Sequence, residues 1–265
     1  MFENHLLLKL ILGPLIIAAA TLVSRRWGER ISGLMIGLPL TSAPVSVFFA
    51  IEQGKIFAAG AALGSLLGMI PVAFFCLGYL VASRHFKWYF AALFGIACYL
   101  PVVWGVSYLS PTLLVTAIIV PAALLAALLV SGKPKEEAAP VASPLWDLPL
   151  RMVVATSLLI LQTSLAGVLG PKWSGLLSPF PVFSFVMVTF AHRQGGSNAV
   201  WRFLRGLLNG LFGYTIFFLV VALLILQIDL AWVYFLATAA ALGVNGLSLA
   251  RLVWKNHSLQ VTSNI

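Results

Sequence analysis

Nine stretches of this chain run for about twenty residues with almost no charge: 6–24, 32–51, 56–83, 88–109, 111–131, 148–170, 173–191, 200–227 and 230–252. Helices of that length span the hydrocarbon of a bilayer. In hydrocarbon, every backbone N–H and C=O has to be bonded within the segment or against its neighbours. The runs therefore predict an all-α polytopic membrane protein with about nine transmembrane helices. The third and eighth exceed the hydrocarbon thickness, which predicts tilt or an interfacial start. Composition points the same way. Of 265 residues, 61% are hydrophobic and 9% charged, whereas soluble domains carry about 25% charged residues. Twenty-three charged side chains cannot cover a water-facing surface of this size, which excludes an ordinary cytosolic enzyme and a disordered chain.

The 16 Lys and Arg outnumber the 7 Asp and Glu. Their positions decide whether that excess means nucleic acid or membrane. Arg25, Arg26, Arg30, Arg84, Lys87, Lys133, Lys135, Arg151, Arg193, Arg202, Arg205, Arg251 and Lys255 all fall on one side of a nine-helix chain. Lys55 and Lys172 fall on the other, with Lys9 near it. By the positive-inside rule this puts the N-terminus outside and the C-terminus in the cytoplasm, and it removes the case for a nucleic-acid partner. All eight tryptophans stand at or near run ends, where indole prefers the headgroup region. The first run has Glu3 and no early cation, the wrong start for a signal peptide, and is kept as a helix of the mature chain. Cys76 and Cys98 lie inside apolar runs and read as packing residues. The stretch 132–147 has the Pro, Ala and charge content of a flexible linker and divides the chain nearly in half.

The halves resemble each other. Ser32-Gly33-Leu34 matches Ser174-Gly175-Leu176 at an offset of 142. Without gaps, the same offset pairs Pro39 with Pro181, Ser42 with Ser184, Phe48 with Phe190 and Gly54 with Gly196, seven identities in 23 positions. It also pairs Lys9 with Arg151 and Thr21 with Thr163; with a small shift, Gly60 and Gly64 match Gly206 and Gly210. The expected organisation is repeat A over 1–110, a connector helix and linker over 111–147, and repeat B over 148–265. Five helices separate the start of one copy from the start of the next, an odd number. The copies therefore insert with opposite orientation, as 4+1+4 inverted repeats of the kind that place transporter sites near the midplane.

Each copy interrupts a helix with proline. The second run reads G-L-P-L-T-S-A-P, with Pro39 and Pro44; the seventh reads S-P-F-P-V-F-S, with Pro179 and Pro181. Proline removes an N–H and displaces the carbonyl four residues earlier, here those of Met35 and Leu177. Lipid cannot bond those carbonyls. Thr41, Ser42, Ser178 and Ser184 put hydroxyls beside the breaks. The set Pro39, Thr41, Ser42, Pro44, Ser178, Pro179, Pro181 and Ser184 is the expected substrate-binding site. The ordinary alternative is two kinks satisfied by neighbouring hydroxyls. Lys9 and Arg151 sit a few residues into their helices. They read either as snorkelling cations or as vestibule charges that draw anionic groups inward.

No Asp or Glu lies near the centre of any run, which argues against a carboxylate-based cation antiporter and leaves carbonyls and hydroxyls as coupling ligands. Gln162, Asn209, Tyr214 and Asn245 read as helix–helix glue. The stripes Gly60, Gly64, Gly68 and Gly206, Gly210, Gly213 allow close backbone approach, within the chain or in a homodimer. His5, His85, His192 and His257 are scattered, and no HExxH, CxxC or GxSxG motif occurs. Neither an enzyme nor a metal or other cofactor is expected.

L-L-K-L-I-L-G at 7–13, S-G-L at 32–34, the mid-helix Pro39 and E-Q-G at 52–54 together resemble the small bacterial inner-membrane proteins of the GlpM type. Residues 148–196 resemble the same pattern with arginine for lysine. The resemblance implies a fused duplication of that four-helix unit and a multi-pass bacterial inner-membrane location, and brings no settled activity. The expected function is a secondary transporter or flippase-like carrier of a small or amphiphilic solute, an anionic one if the vestibule cations act on it. The competing readings are a non-transporting assembly or sensor protein and a passive channel.

Overall fold

The computed structural model describes residues 2–40, 42–109, 111–132, 146–158, 160–161 and 181–263; side chains before residue 14 other than Ile11, and after residue 250, lie outside that description. Among the described residues, every regular element is an α-helix. In chain order these are α1 (Phe2–Trp27), α2 (Glu29–Ile36), α3 (Ser42–Glu52), α4 (Lys55–Leu67), α5 (Met69–Ser83), α6 (Trp88–Val106) and α7 (Leu113–Val130). Then come α8 (147–158), α9 (Val182–Leu224) and α10 (Leu230–Ser263). Five segments among the described residues are long and apolar enough to cross a membrane: Lys55–Ser83, Trp88–Val106, Leu113–Val130, Val182–Leu224 and Leu230–Ala250. The outward faces of α6, α7 and α10 carry Leu93, Ile118, Leu129, Leu242 and Leu247, all exposed. A water-soluble chain does not leave apolar faces of that extent uncovered.

The run 32–51 is two helices, because the chain leaves helical geometry between Ile36 and Ser42. The carbonyl of Met35, which Pro39 cannot serve, accepts instead from the Leu38 N–H at 3.1 Å. The run 56–83 stays one continuous segment, since Gly68 between α4 and α5 keeps helical angles (φ −59, ψ −15). The runs 173–191 and 200–227 meet inside α9, which breaks at Gly196 (φ 62, ψ −161).

Three glycines make these turns possible. Gly28 (φ 86, ψ 166) joins α1 to α2, and Gly54 (φ 87, ψ 166) joins α3 to α4. Gly196 does the same between the two arms of α9. All three occupy a region of positive φ and extended ψ that is essentially closed to side chains. Gly54 and Gly196 stand at the offset of 142 in the sequence and turn the chain with the same backbone device. Gly170 stands at the same offset from Gly28, outside the described residues.

The tightest seam lies between α2 and the second arm of α9. A methyl group on Gly33 would lie 2.8 Å from Leu207 N, and one on Gly37 would lie 2.7 Å from both Cα and C of Gly210. Gly206 meets the Arg30 backbone in the same way. Only glycine permits backbones this close, as in small-residue helix contacts in membranes. The equivalent Gly60 and Gly64 on α4 meet nothing within 4 Å. Around the seam, Phe75, Tyr79, Phe203, Leu204 and Leu207 form one core, and Phe217, Phe218, Val221 and Leu66 form a second.

Candidate functional site

Charged groups gather at opposite ends of the bundle. At one end, Asp147 in the first turn of α8 is fully buried and binds Arg151 Nε at 2.8 Å. Arg151 also donates to Gln194 Oε1 at 3.0 Å and to Met187 Sδ at 3.4 Å, and its guanidinium lies over the Phe190 ring at 4.9 Å. Gln194 Nε2 donates to Asp147, and Arg25 approaches the same carboxylate at 3.9 Å. Nearby, Arg202 pairs with Glu29 at 3.0 Å. The open carbonyls at the end of α7 are also served here. Arg205 donates to Gly132 O at 2.8 Å and Ser131 Oγ at 3.0 Å, Arg84 to Ser131 O at 3.3 Å, and Trp201 to Ser131 O at 3.1 Å. Cations on a helix C-terminus offset its partial negative charge. Burial and the neighbouring Arg205 lower the proton affinity of Arg30 at this end. At the opposite end Lys55 donates to Ile228 O at 2.7 Å, in an open cleft lined by Gln227, Asp229 and Trp232.

Between these ends lies the interruption of α2 and α3. Pro39 is buried there, and Pro44 sits in the first turn of α3, where its missing N–H costs nothing. The backbone crosses the gap with Leu40 N donating to Leu38 O at 2.8 Å and Ala43 N to Pro39 O at 2.8 Å. The Tyr214 hydroxyl, on the second arm of α9, lies near Ser42 and Ser65. One turn further along α3, Ser46 bonds Tyr234 of α10 at 2.9 Å. Asn245 of α10 is buried and donates to Gly210 O at 3.3 Å, beside the end of α2. Four helices thus bring hydroxyls and an amide to the place where a helix opens.

Of the expected site, Pro39, Ser42 and Pro44 stand at this break. Pro181 immediately precedes α9, and Ser184 is buried in its first turn, in the stretch whose Phe185 packs on Phe75. The described contacts do not join Ser42 with Ser184. Thr41, Ser178, Pro179 and the Lys9 side chain lie outside the described residues. Arg151 points into the protein and has a carboxylate partner, so it neither snorkels nor stands as an unpaired attractor. Asp147, four residues before it, carries the spacing of a helical ion pair and could have been found from that alone. Ser46, Ser65 and Tyr234 had no such signal, because hydroxyls on apolar helices usually bond their own backbone. Among the described residues, no three His, Cys, Asp or Glu side chains gather as they would around a metal ion.

The fold defines the class: an all-helical protein whose long apolar helices mark it as membrane-embedded. Compared with known protein families, curated proteins and solved structures, the chain matches none of them.

Proposed function

We propose that this chain is a secondary transporter or flippase-like carrier that takes a small or amphiphilic solute at the break between α2 and α3. The observation that carries the reading is the break itself: an opened helix between the two charged ends, faced by Ser42, Ser65 and Tyr214. Open backbone at membrane depth is tolerated where it is covered by protein or lines a path, and carriers use it to hold ligands. The finer architecture belongs to the same proposal. It has nine spans as 4+1+4 inverted repeats, repeat A over 1–110 and repeat B over 148–265, an outside N-terminus and a cytoplasmic C-terminus. Gly54 and Gly196, alike in sequence position and backbone angles, support the two-copy reading. A bacterial inner-membrane location and descent from a GlpM-type unit rest on the sequence resemblance alone. The end that gathers Arg25, Arg84, Arg151, Arg202 and Arg205 is taken as cytoplasmic.

In this reading the cytoplasmic end is closed, with α1, α8 and α9 tied through Asp147. Because Asp147 neutralises Arg151, that side chain no longer argues for an anionic solute. The test is a thermal-shift screen of solutes and lipids on detergent-purified protein, repeated with Ser42→Leu and Ser184→Leu. A ligand whose stabilisation vanishes in Ser42→Leu supports the site. A stabilising ligand that acts equally on both variants and the wild type refutes it. In liposomes, a carrier gives saturable, temperature-sensitive flux and a channel does not.

A further inference from the structure

Beside the end of α2 lies a buried acceptor without a donor. Asn245 is 3% exposed. Its Nδ2 donates to Gly210 O at 3.3 Å, while its Oδ1 is covered and has no hydrogen-bond partner. Native chains seldom keep a buried acceptor in that state unless a ligand, ion or water meets it. Gly210 is the residue on which α2 terminates, 2.7 Å from where a methyl group on Gly37 would lie. Gly210 thus lies against both the Asn245 amide and the last turn of α2, whose terminal carbonyls carry the partial negative charge of a helix end. Further along α9, Tyr214 brings its hydroxyl toward Ser42 and Ser65. Ser65 gives its own proton to Ala61 O at 2.9 Å, which leaves its oxygen only lone pairs to offer.

Fixed charge is distant along the helices. Arg30 is seven residues before Gly37, and Arg205 is five before Gly210, about 10 Å and 8 Å at the helical rise. A buried oxygen without a donor, near a negative helix end, suits a hard cation. A divalent ion would bring two charges with no carboxylate here among the described residues to offset them. Opened helix ends and neutral oxygens hold monovalent ions in membrane carriers. We infer that a sodium-sized monovalent cation binds where the C-terminus of α2 meets Asn245. As a coupling ion it rests on the carrier reading above; as a binding site it does not.

The experiment is thermal unfolding of the detergent-purified full chain, titrated with LiCl, NaCl or KCl against N-methylglucamine chloride at constant total ionic strength and pH 8 (about one unit above neutrality, so that an introduced Asp ionises more readily). The expected result is a saturable rise in Tm with one alkali ion and none with the organic cation. In Asn245→Leu the half-saturating concentration rises about tenfold or more, the loss of one ligand. In Asn245→Asp it falls, because a carboxylate replaces a neutral oxygen. If no alkali ion stabilises saturably, or if Asn245→Leu responds as the wild type does, the site is refuted. If Asn245→Leu does not fold, Asn245→Asp decides, and an unchanged half-saturation overturns the proposal. Solute binding is measured separately at fixed sodium with Ser42→Leu. A solute response that Ser42→Leu leaves unchanged, with a saturable ion response, defeats the carrier reading alone; a solute response lost in Ser42→Leu, with no saturable ion response in the wild type, defeats the ion site alone.

Discussion

Gly37→Ala is the sharpest probe of how the opened helix is held. Gly37 has helical angles (φ −72, ψ −9), so alanine adopts its backbone conformation without strain. The cost comes from space alone. The added carbon would lie 2.7 Å from Cα and C of Gly210 and 2.8 Å from Leu207 O. Carbon atoms settle at about 3.5 Å or more, so α2 and α9 must part by about 0.8 Å. All three obstacles are backbone, so no side chain can rotate away. Overpacking of this kind costs about 1–3 kcal/mol. The control is Gly64→Ala on α4, where nothing lies within 4 Å. There alanine should stabilise by about 0.5–1 kcal/mol through its better helix propensity. Thermal unfolding of the two purified variants, followed by tryptophan fluorescence, should move Tm in opposite directions, the loss in Gly37→Ala being roughly 3–10 °C. Equal Tm values for Gly37→Ala and the wild type would show that the α2–α9 seam is not as close as described.

Other consequences concern the charged end and the turns. Asp147→Asn leaves Arg151 buried without a counter-charge and should cost about 3–5 kcal/mol. Arg151→Met should cost less, because Arg25 and Gln194 still face the carboxylate. Unfolding midpoints in a double-mutant cycle should show the double variant recovering part of the Asp147→Asn loss, and additive losses would contradict the pairing. Gly196→Ala meets no atom within 4 Å yet should lose about 1–3 kcal/mol through its positive φ, and Gly54→Ala should behave alike. Unchanged stability in both would remove the shared turning device. Arg205→Gln loses donors to Ser131 and Gly132 and should lower Tm by the equivalent of about 1–2 kcal/mol.

Much of the architecture was written in local chemistry. Pro39 announced the opening between α2 and α3 because proline cannot serve the carbonyl behind it. Gly54 and Gly196 stood at one offset, and both turned out to need a backbone only glycine adopts. Arg25, Arg84, Arg151, Arg202 and Arg205 gather at one end of the bundle, where the carbonyls of α7 and the carboxylates of Glu29 and Asp147 receive them. Pairings across distant helices were not legible. Nothing in the apolar runs said that Tyr214 would face Ser42, that Tyr234 would face Ser46, or that Asn245 would sit beside the end of α2. Those depend on how helices rotate about their axes, which small residues such as Gly206 and Gly210 decide through packing. The sequence offset offers a further lesson. Gly60 and Gly64 match Gly206 and Gly210 in sequence, yet only the second pair lies against another backbone among the described residues.

The central claim is that the break around Ser42 opens to water on a path through the membrane. It is tested by Ser42→Cys in a chain whose Cys76 and Cys98 are replaced by alanine. The variant is labelled with an impermeant maleimide from either face of oriented vesicles, with and without a stabilising solute. The account predicts labelling from at least one side, with a rate that the solute changes. No labelling from either side in any condition would contradict it, and would leave the break as a packed kink.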